Sequence, residues 1–406
     1  MIRRAPFAAA PVATVALAVI LSGCVAKADL ASAIPVTITD TGCAVKTATT
    51  TAGAVTFHLE NKGSDVNEFE ILANDKLRIV GEKENVTPGQ KVDFVAQLAP
   101  GTYYTACKFQ QVGAPVGLAA FTVTGTLSTA SASETALSEQ AVTQYVAYLR
   151  SQVAELIPAV KKFTAAYKSG DDETARKLFA SARVSYERIE PTAEAFGDLD
   201  PKIDFREVDA VADGLQWTGF HRIEKDLWPP AAGALNSDGK DAHSGWTVST
   251  PEQRASFADG LVADVTQLHT LVTSPTFTVS LDAISNGAIA LLDEVAAGKI
   301  TGEEDWWSGT DLSDFAANVQ GAGVAFGAVR PLAEARGAQG VALAAEIATQ
   351  FQALEKALST YGSLEAGFVD YRTVGTTDRK VLSDQVNALA EPLSKLTHVV
   401  LGLPAK

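Results

Sequence analysis

The chain has 406 residues, of which 47% are hydrophobic and 20% charged, a composition typical of globular rather than disordered proteins. Its 48 acidic and 33 basic residues give a net charge of −15, which argues against nucleic acid as a partner because phosphate backbones are repelled. One methionine and three cysteines exclude thioether metal sites and a dense disulfide scaffold, and the length predicts more than one domain.

The N-terminus has the pattern of an export signal. A short basic region precedes an apolar run over residues 8–21, and the sequence LSGC follows and ends at Cys24. This pattern resembles the lipobox of bacterial lipoproteins, in which the peptide is cut before the cysteine and the cysteine is acylated. We therefore predict a signal peptide at 1–23, a lipidated Cys24, a tether at 24–33 and anchoring to the outer face of the cell membrane. An uncleaved anchor would give the same location.

Residues 34–125 alternate apolar and polar side chains with a period of two, which predicts an all-β sandwich. Turn signals such as Pro88-Gly89 and Pro100-Gly101 separate the alternating runs. The runs are Val36–Thr39, Val55–Leu59, Val92–Val95 and Phe121–Thr124.

The sandwich carries few residues that could bind a metal. A blue-copper site needs two histidines, a cysteine and usually a methionine, whereas this region has His58 as its one histidine and no methionine. Ordinary copper electron transfer is therefore disfavoured. Two alternatives stay open for Cys43 and Cys107: they form a disulfide, or they form a metal site together with Glu68.

Residues 126–137 are small and polar and predict a linker, and the period becomes helical over 138–406. Thr250, Pro251 and Gln253 have the pattern of a helix start with a capping box. Other helices are predicted at 138–168, from Gly170 to Glu190, and at 280–297, 311–335, 340–361 and 376–400. These segments predict an all-α domain of two packed four-helix bundles, in which Gly321, Gly323 and Gly327 indicate close helix packing.

The sequence GFHRIE at residues 219–224 places His221 and Glu224 three positions apart, so both side chains project from one face of a helix. Such a pair alone is more often structural than metal-binding. Glu187, Glu190 and Asp204 lie upstream, and facing helices of a bundle can present such carboxylates to one interior point. One imidazole with two or three carboxylates suits iron, with zinc or manganese as alternatives, and does not suit Cu(I).

Longer runs resemble a known family. The sequences YERIEPTAEAFGDLDPKID, WTGFHRIEKDLW and GKITGEEDWWSGTDLSDFAANVQG resemble the imelysin-like helical domain of EfeO-type proteins. The sequences VTITDTGC, NEFEIL and PGTYYTAC resemble the cupredoxin-like domain of the same proteins. The resemblance covers nearly all of the mature chain in the same order. It implies an extracytoplasmic iron-binding component that works with a membrane iron permease and a secreted haem peroxidase.

The resemblance also implies roles for particular residues. The metal ligands that it implies in the helical domain are His221, Glu224, Asp204 and Glu187, and those in the sandwich are Cys43, Glu68 and Cys107. Trp306 and Trp307 depart from the family, which more often has a tyrosine and a histidine there, so no role is predicted for residues 303–311.

The function that we predict is capture of iron and its delivery to the permease, with iron as the cofactor and copper or zinc as alternatives. Oxidation of ferrous iron by the sandwich is an enzymatic step compatible with that role. A metal-dependent peptidase of the imelysin type is disfavoured because a zincin needs two histidines on one helix and here the second is missing. Metal-bridged binding of an anionic polysaccharide is the third alternative.

Overall fold

The computed structural model describes residues 33–109, 115–126, 133–297 and 299–402. A β-sandwich is followed by a helical domain, so the predicted order of an all-β and an all-α unit is confirmed. The predicted signal peptide, Cys24, nearly all of the tether and half of the linker lie outside the described residues.

The sandwich consists of two sheets that enclose an aromatic core. A four-stranded sheet has the order β2-β1-β4-β7, and a five-stranded sheet has the order β3-β9-β8-β5-β6. The strands are β1 Ile34–Thr39, β2 Gly42–Val45, β3 Thr49–Thr51, β4 Gly53–Asn61, β5 Asn67–Leu72, β6 Ile79–Val86, β7 Lys91–Leu98, β8 Gly101–Phe109 and β9 Val116–Thr124. Phe57 packs against Phe69 and Phe121 at ring-centroid distances of 5.4 and 5.6 Å. Alternation along β1 points Ile34, Val36 and Ile38 into this core.

Strand β5 is buried along its whole length, unlike a strand with one face in water. One of its faces contributes Phe69 and Ile71 to the sandwich core. The other face is covered by the helical domain, because Lys108 on the neighbouring β8 donates to Ser151 Oγ in α1 at 2.6 Å. The two domains therefore meet across the outer face of the five-stranded sheet.

The helical domain contains two groups of helices around one continuous hydrophobic core. Its helices are α1 Glu134–Ser169, α2 Asp172–Glu187, α3 Leu199–Asp204, α4 Glu207–Ala212, α5 Gly219–Leu227, α6 Pro251–Val272, α7 Leu281–Ala297, α8 Asp311–Ala335, α9 Ala338–Leu358, α10 Thr376–Leu393 and α11 Leu396–Val400. Short 3-10 segments lie at Glu190–Phe196, Lys299–Thr301 and Tyr371–Thr373, and a two-residue hairpin pairs Gly362–Ser363 with Gly367–Phe368.

Helix starts follow the local signals closely. Thr250 accepts from the backbone of Gln253, whose side chain accepts from Thr250 N in return, so the predicted capping box is confirmed. Helix α8 has the predicted bounds of 311 and 335. Helix α1 begins at Glu134 rather than at 138, because Ser133 caps it through a bond from Ala136 N.

The prediction of two four-helix bundles holds for one of the two groups. Helices α7, α8, α9 and α10 pack in succession as a four-helix bundle. The other group has three long helices, α1, α2 and α6, and the short helices α3 and α5 pack where a fourth would lie. Those short helices carry the candidate site. Within the described ranges, no helix combines the length and the apolar composition needed to cross a bilayer.

Gly321 in α8 allows the two groups to approach closely. A Cβ at this position would overlap the backbone carbonyl of Arg188, which follows α2. We expect Gly321→Ala to lower the free energy of unfolding by about 1–3 kcal/mol, because the overlap forces α8 and α2 apart.

Gly323 in the same helix provides the matched control for that prediction. A Cβ there would lie at an ordinary 3.8 Å from the Phe351 ring, so we expect Gly323→Ala to be neutral or stabilising by up to about 1 kcal/mol. Urea unfolding compares the two variants, and equal stabilities would contradict the predicted overlap.

Candidate metal centre

The predicted GFHRIE helix is formed, and it is buried from Gly219 to Leu227. Gly219 has a φ of +81°, and a Cβ on it would overlap the carbonyl of Ile203 at the end of α3. Glycine is needed here because it adopts positive φ without strain and leaves room for that carbonyl. This close approach brings α5 against α3, so that His221 and Asp204 come near each other.

His221 and Glu224 converge as their spacing predicts. His221 Nδ1 lies 3.1 Å from Glu224 Oε2, and both side chains are almost fully buried. The other oxygen of Glu224 accepts from the backbone N–H groups of Trp307 and Ser308 at 3.1 and 2.8 Å. Glu224 is therefore oriented by a loop that lies 83 residues further along the chain.

The same loop supplies two carboxylates that sequence reasoning missed. Glu304 Oε1 lies 3.3 Å from His221 Nε2, and Asp305 Oδ1 lies 3.8 Å from His221 Nδ1. Thr310 donates to the other oxygen of Asp305 and fixes its orientation. The acidic residues after Gly302 are candidate ligands by residue type, but no local sequence pattern indicated that this loop faces α5.

Asp204 and Glu187 reach the same region around a buried arginine. The Arg183 guanidinium has no exposed surface and contacts the carboxylates of both residues. Its Nε also lies 3.1 Å from Asp314 Oδ2 in α8. Arg183 is thus an internal cation among the predicted ligands, and it was not among the predicted site residues.

Glu187 and Glu190 are joined by a second internal cation. Lys299 Nζ lies 3.0 Å from Glu187 Oε2 and 2.7 Å from Glu190 Oε2. Asn318 of α8 donates to the same two oxygens at 3.0 and 2.6 Å. The two glutamates do not share one regular helix, because α2 ends at Glu187 and Glu190 begins a 3-10 segment.

The site offers three groups of ligand atoms, each with its atoms within 4.8 Å of one another. His221 belongs to two of the groups, and Asp204 also belongs to two. The groups are Asp204 with His221 and Glu304, His221 with Glu224 and Asp305, and Glu187 with Glu190 and Asp204. All four ligands predicted for the helical domain therefore lie in one connected cluster.

Several buried polar atoms in this cluster or next to it have no hydrogen-bond partner. They are His221 Nε2, Asp305 Oδ1, Asp314 Oδ1 and Asn318 Oδ1. A buried polar atom without a partner costs free energy, so it indicates a place where another group can bind. The donors are carboxylate oxygens and one imidazole nitrogen, which fit a hard cation such as iron.

Burial and charge shift the protonation of these ligands. Burial lowers the pKa of His221, and the Arg183 guanidinium does the same. The close carboxylates of Glu224 and Glu304 outweigh both and raise the pKa of His221 to about 9. Burial raises the pKa of Asp204 to about 7, although Arg183 opposes the change. Protons, Arg183 and Lys299 therefore balance the carboxylates in the metal-free protein.

The sandwich cysteines adopt one of the two predicted arrangements. Cys43 and Cys107 form a disulfide, which joins β2 in one sheet to β8 in the other. Glu68 lies on the opposite face of the five-stranded sheet, because Cys107 pairs with Phe69 in the core while Glu68 pairs with Lys108. The three residues therefore do not come together as a metal site in this structure.

Glu68 lies instead in a buried charged cluster at the domain boundary. Burial and, after it, the nearby charges of Glu70 and Glu82 together raise the pKa of Glu68 to about 9, although Lys108 opposes the change. Glu70 has no exposed surface, and its oxygen lies 3.5 Å from Lys108 Nζ. Glu68 is therefore protonated in the folded protein at neutral pH.

A raised pKa makes the stability of the folded protein depend on pH. The proton on Glu68 contributes stability that is fully present below the ordinary glutamate pKa of about 4.5 and is lost as pH rises toward 9. Glu68→Gln imitates the protonated form, so we expect the variant to exceed wild type by about 1–3 kcal/mol at pH 8 and to match it at pH 4.5. Urea unfolding at both pH values tests this, and parallel pH profiles would refute it.

Comparisons with known proteins agree with both domains. The family model described as Imelysin matches residues 141–396, and the one described as Cupredoxin-like domain matches residues 11–117. A protein named "Iron uptake system component EfeO" from Escherichia coli O1:K1 is 36% identical over 372 residues, which cover 91% of this chain and 92% of the relative.

Proteins of the same name from Escherichia coli K12 and Shigella flexneri are 35% identical over the same shares of both chains. The Imelysin match covers more than half of the chain, and these alignments cover nearly all of it. The chain therefore belongs to the EfeO family of iron uptake system components, in which a cupredoxin-like domain precedes an imelysin domain.

Proposed function

We propose that this protein captures iron outside the cell and delivers it to a membrane iron permease. The observation that carries the proposal is the position of His221, which joins two groups of buried carboxylates and has an unpartnered Nε2. A buried, oxygen-rich and anionic site with one imidazole favours a hard cation over Cu(I). Iron is therefore the cargo that we propose, with copper or zinc as alternatives.

The setting of the site supports the same proposal. The relatives are named as iron uptake system components. The LSGC sequence at Cys24 supports export and lipid anchoring at the outer face of the cell membrane, after removal of residues 1–23. We propose a membrane iron permease as the acceptor of the iron and a secreted haem peroxidase as the second partner.

Peptidase activity gains no support from the geometry. A zincin places two histidines of one helix on its metal. Among the described residues, which include all five histidines of the chain, His221 is the one histidine in the three ligand groups. His243 lies in an exposed loop, and His58 lies on the sandwich beside Asp93.

Metal content of the full chain tests the proposal. Protein stripped with a chelator is dialysed against ferrous iron without oxygen, against ferric iron, and against zinc, and the bound metal is measured after desalting. We expect about one tightly held iron per chain, because the connected cluster offers a single set of shared ligands. A protein of similar net charge without such a cluster serves as the control. Iron retention no greater than that of the control would refute the proposed function.

A further inference from the structure

A cavity of about 800 Å³ lies beside the candidate metal centre. Its walls come from the 3-10 segment Glu190–Phe196, from α3 and α4, and from the first turns of α7. Asp204 and Glu304 line it, and both belong to the ligand group that contains His221. The cavity therefore leads from the surface to two members of that ligand group.

The charged side chains of the cavity wall are almost all acidic. Among the residues that the structure describes, seven acidic side chains and one basic side chain line it. The basic residue, Arg206, is paired with Asp209 at 2.7 Å and with Glu303 at 3.1 Å. A cleft lined by one sign of charge focuses the electrostatic potential and raises the local concentration of counter-ions.

Two of the acidic residues stand at the rim, outside the three ligand groups. Asp213 follows α4, Asp282 lies in the first turn of α7, and both are exposed. A hydrogen bond from Ser280 lowers the pKa of Asp282, so this carboxylate is ionised at neutral pH. These residues can attract a cation without holding it at the centre.

An unpartnered ligand atom lies behind two of the carboxylates that line the cavity. His221 is 2% exposed, and its Nε2 points toward Glu304 Oε1 at 3.3 Å and Asp204 Oδ1 at 3.7 Å without a hydrogen bond to either. Asp204 and Glu304 are the two cavity-lining members of that group. The acidic walls thus lead to a nitrogen that can bind a cation in exchange for a proton.

A second, smaller opening, which His221 itself lines, is too small to admit a hydrated ion. It has a volume of about 20 Å³ and is lined by Glu224, Trp217, Trp306 and Trp307 among others. That space holds about one water molecule. At roughly 10–15 Å³ for each water on the same scale, a cation with about six waters needs roughly 60–90 Å³, which the large cavity provides.

We infer that the acidic cavity is the entrance through which iron arrives as a hydrated cation, and that its charge turns away iron held by anionic chelators. The inference rests on the proposed function and names the form of iron that the site accepts. Asp213 and Asp282 steer the ion, and the cluster around His221 holds it. Removing the rim charges therefore affects the rate of arrival and not the rate of release.

Stopped-flow mixing of metal-free full-length protein with ferrous iron, under anaerobic conditions, tests the steering. We expect Asp213→Asn combined with Asp282→Asn to slow association about 10-fold at low ionic strength, with the dissociation rate unchanged. The difference should shrink as salt is added, because both residues are exposed. The matched control combines Glu346→Gln with Glu365→Gln, which removes the same charge from exposed positions outside the cavity.

Equal association rates for the rim variant and the control would overturn the inference that this cavity is the entrance for iron. A wild-type protein that binds no iron would instead overturn the proposed function, so the two failures are distinguishable.

In a second experiment, iron is presented to the metal-free protein as ferric citrate. We expect uptake at a rate that does not depend on protein concentration, because iron must leave the chelate first. A rate that rises with protein concentration would contradict the exclusion of anionic chelates.

Discussion

His221→Ala is expected to weaken iron binding by about 100-fold or more. Loss of a residue that only supports a ligand costs 10–100-fold in metal affinity, and His221 is a ligand candidate in two of the three groups. Its removal also leaves the carboxylates of Glu224 and Glu304 facing an empty space, where their mutual repulsion is no longer offset by a bound cation.

Glu224→Gln separates the loss of charge from the loss of structure. The amide oxygen of glutamine can still accept from the backbone N–H groups of Trp307 and Ser308, so the loop keeps its position. We expect this variant to lose about 10-fold or more in affinity while its thermal unfolding changes little. Calorimetric titration with iron measures the iron affinity of both variants.

His243→Ala is the control for these two substitutions, because this histidine lies in an exposed loop and pairs with Asp241. It should bind iron as wild type does. Full affinity in a chain that carries both His221→Ala and Glu224→Gln would show that iron, if bound, is held elsewhere.

Arg183→Met is expected to lower the free energy of unfolding of the metal-free protein by about 3–5 kcal/mol. Arg183 is fully buried, and removing one partner of a buried ion pair leaves uncompensated charge. Five carboxylates lie near its guanidinium: Glu187, Asp204, Glu304, Asp305 and Asp314. Methionine fills much of the same space, so the loss is one of charge more than of packing.

Iron should recover part of that loss. A ligand present at 100 times its dissociation constant adds about 2.7 kcal/mol to the stability of the state that binds it, and a bound cation would replace the missing positive charge. Urea unfolding with a chelator and with saturating iron measures the recovery. We expect a larger iron-induced gain in Arg183→Met than in wild type.

Arg150→Met is the matched control, since Arg150 in α1 donates to the carbonyl of Val272 at 2.9 Å and contributes nothing to the acidic cluster. It should lose far less stability, and iron should stabilise it as much as it stabilises wild type. If Arg183→Met were as stable as Arg150→Met, Arg183 would not be the cation that holds the carboxylates together.

In the proposed function, Arg183 and iron act alike, as cations that neutralise the carboxylates, so one cluster can exist with and without cargo. Arg183 and Lys299 neutralise part of the acidic charge, and the protons on His221 and Asp204 neutralise more. A cation that enters displaces protons most easily, because the arginine and lysine are tethered to the chain. Capture of iron is thus expected to release protons.

Local signals in the sequence determined the order of the domains, the helix starts and the pairing of His221 with Glu224. Each of these depends on residues within a few positions of one another: the capping box at Thr250 spans one turn, and His221 and Glu224 are neighbours on any helix. The alternation of β1 depends on a period of two. Such features are fixed by backbone geometry alone and need no knowledge of distant contacts.

Only the tertiary structure decided which distant residues complete the site. Glu304, Asp305 and Arg183 lie on other elements, and their approach to His221 depends on how the loop before α8 and helix α2 pack against α5. The register of β5 against β8 likewise separated Glu68 from Cys107, because a one-residue shift would exchange the two faces of the strand. Packing and register act between residues far apart in the chain, so no local pattern specifies them.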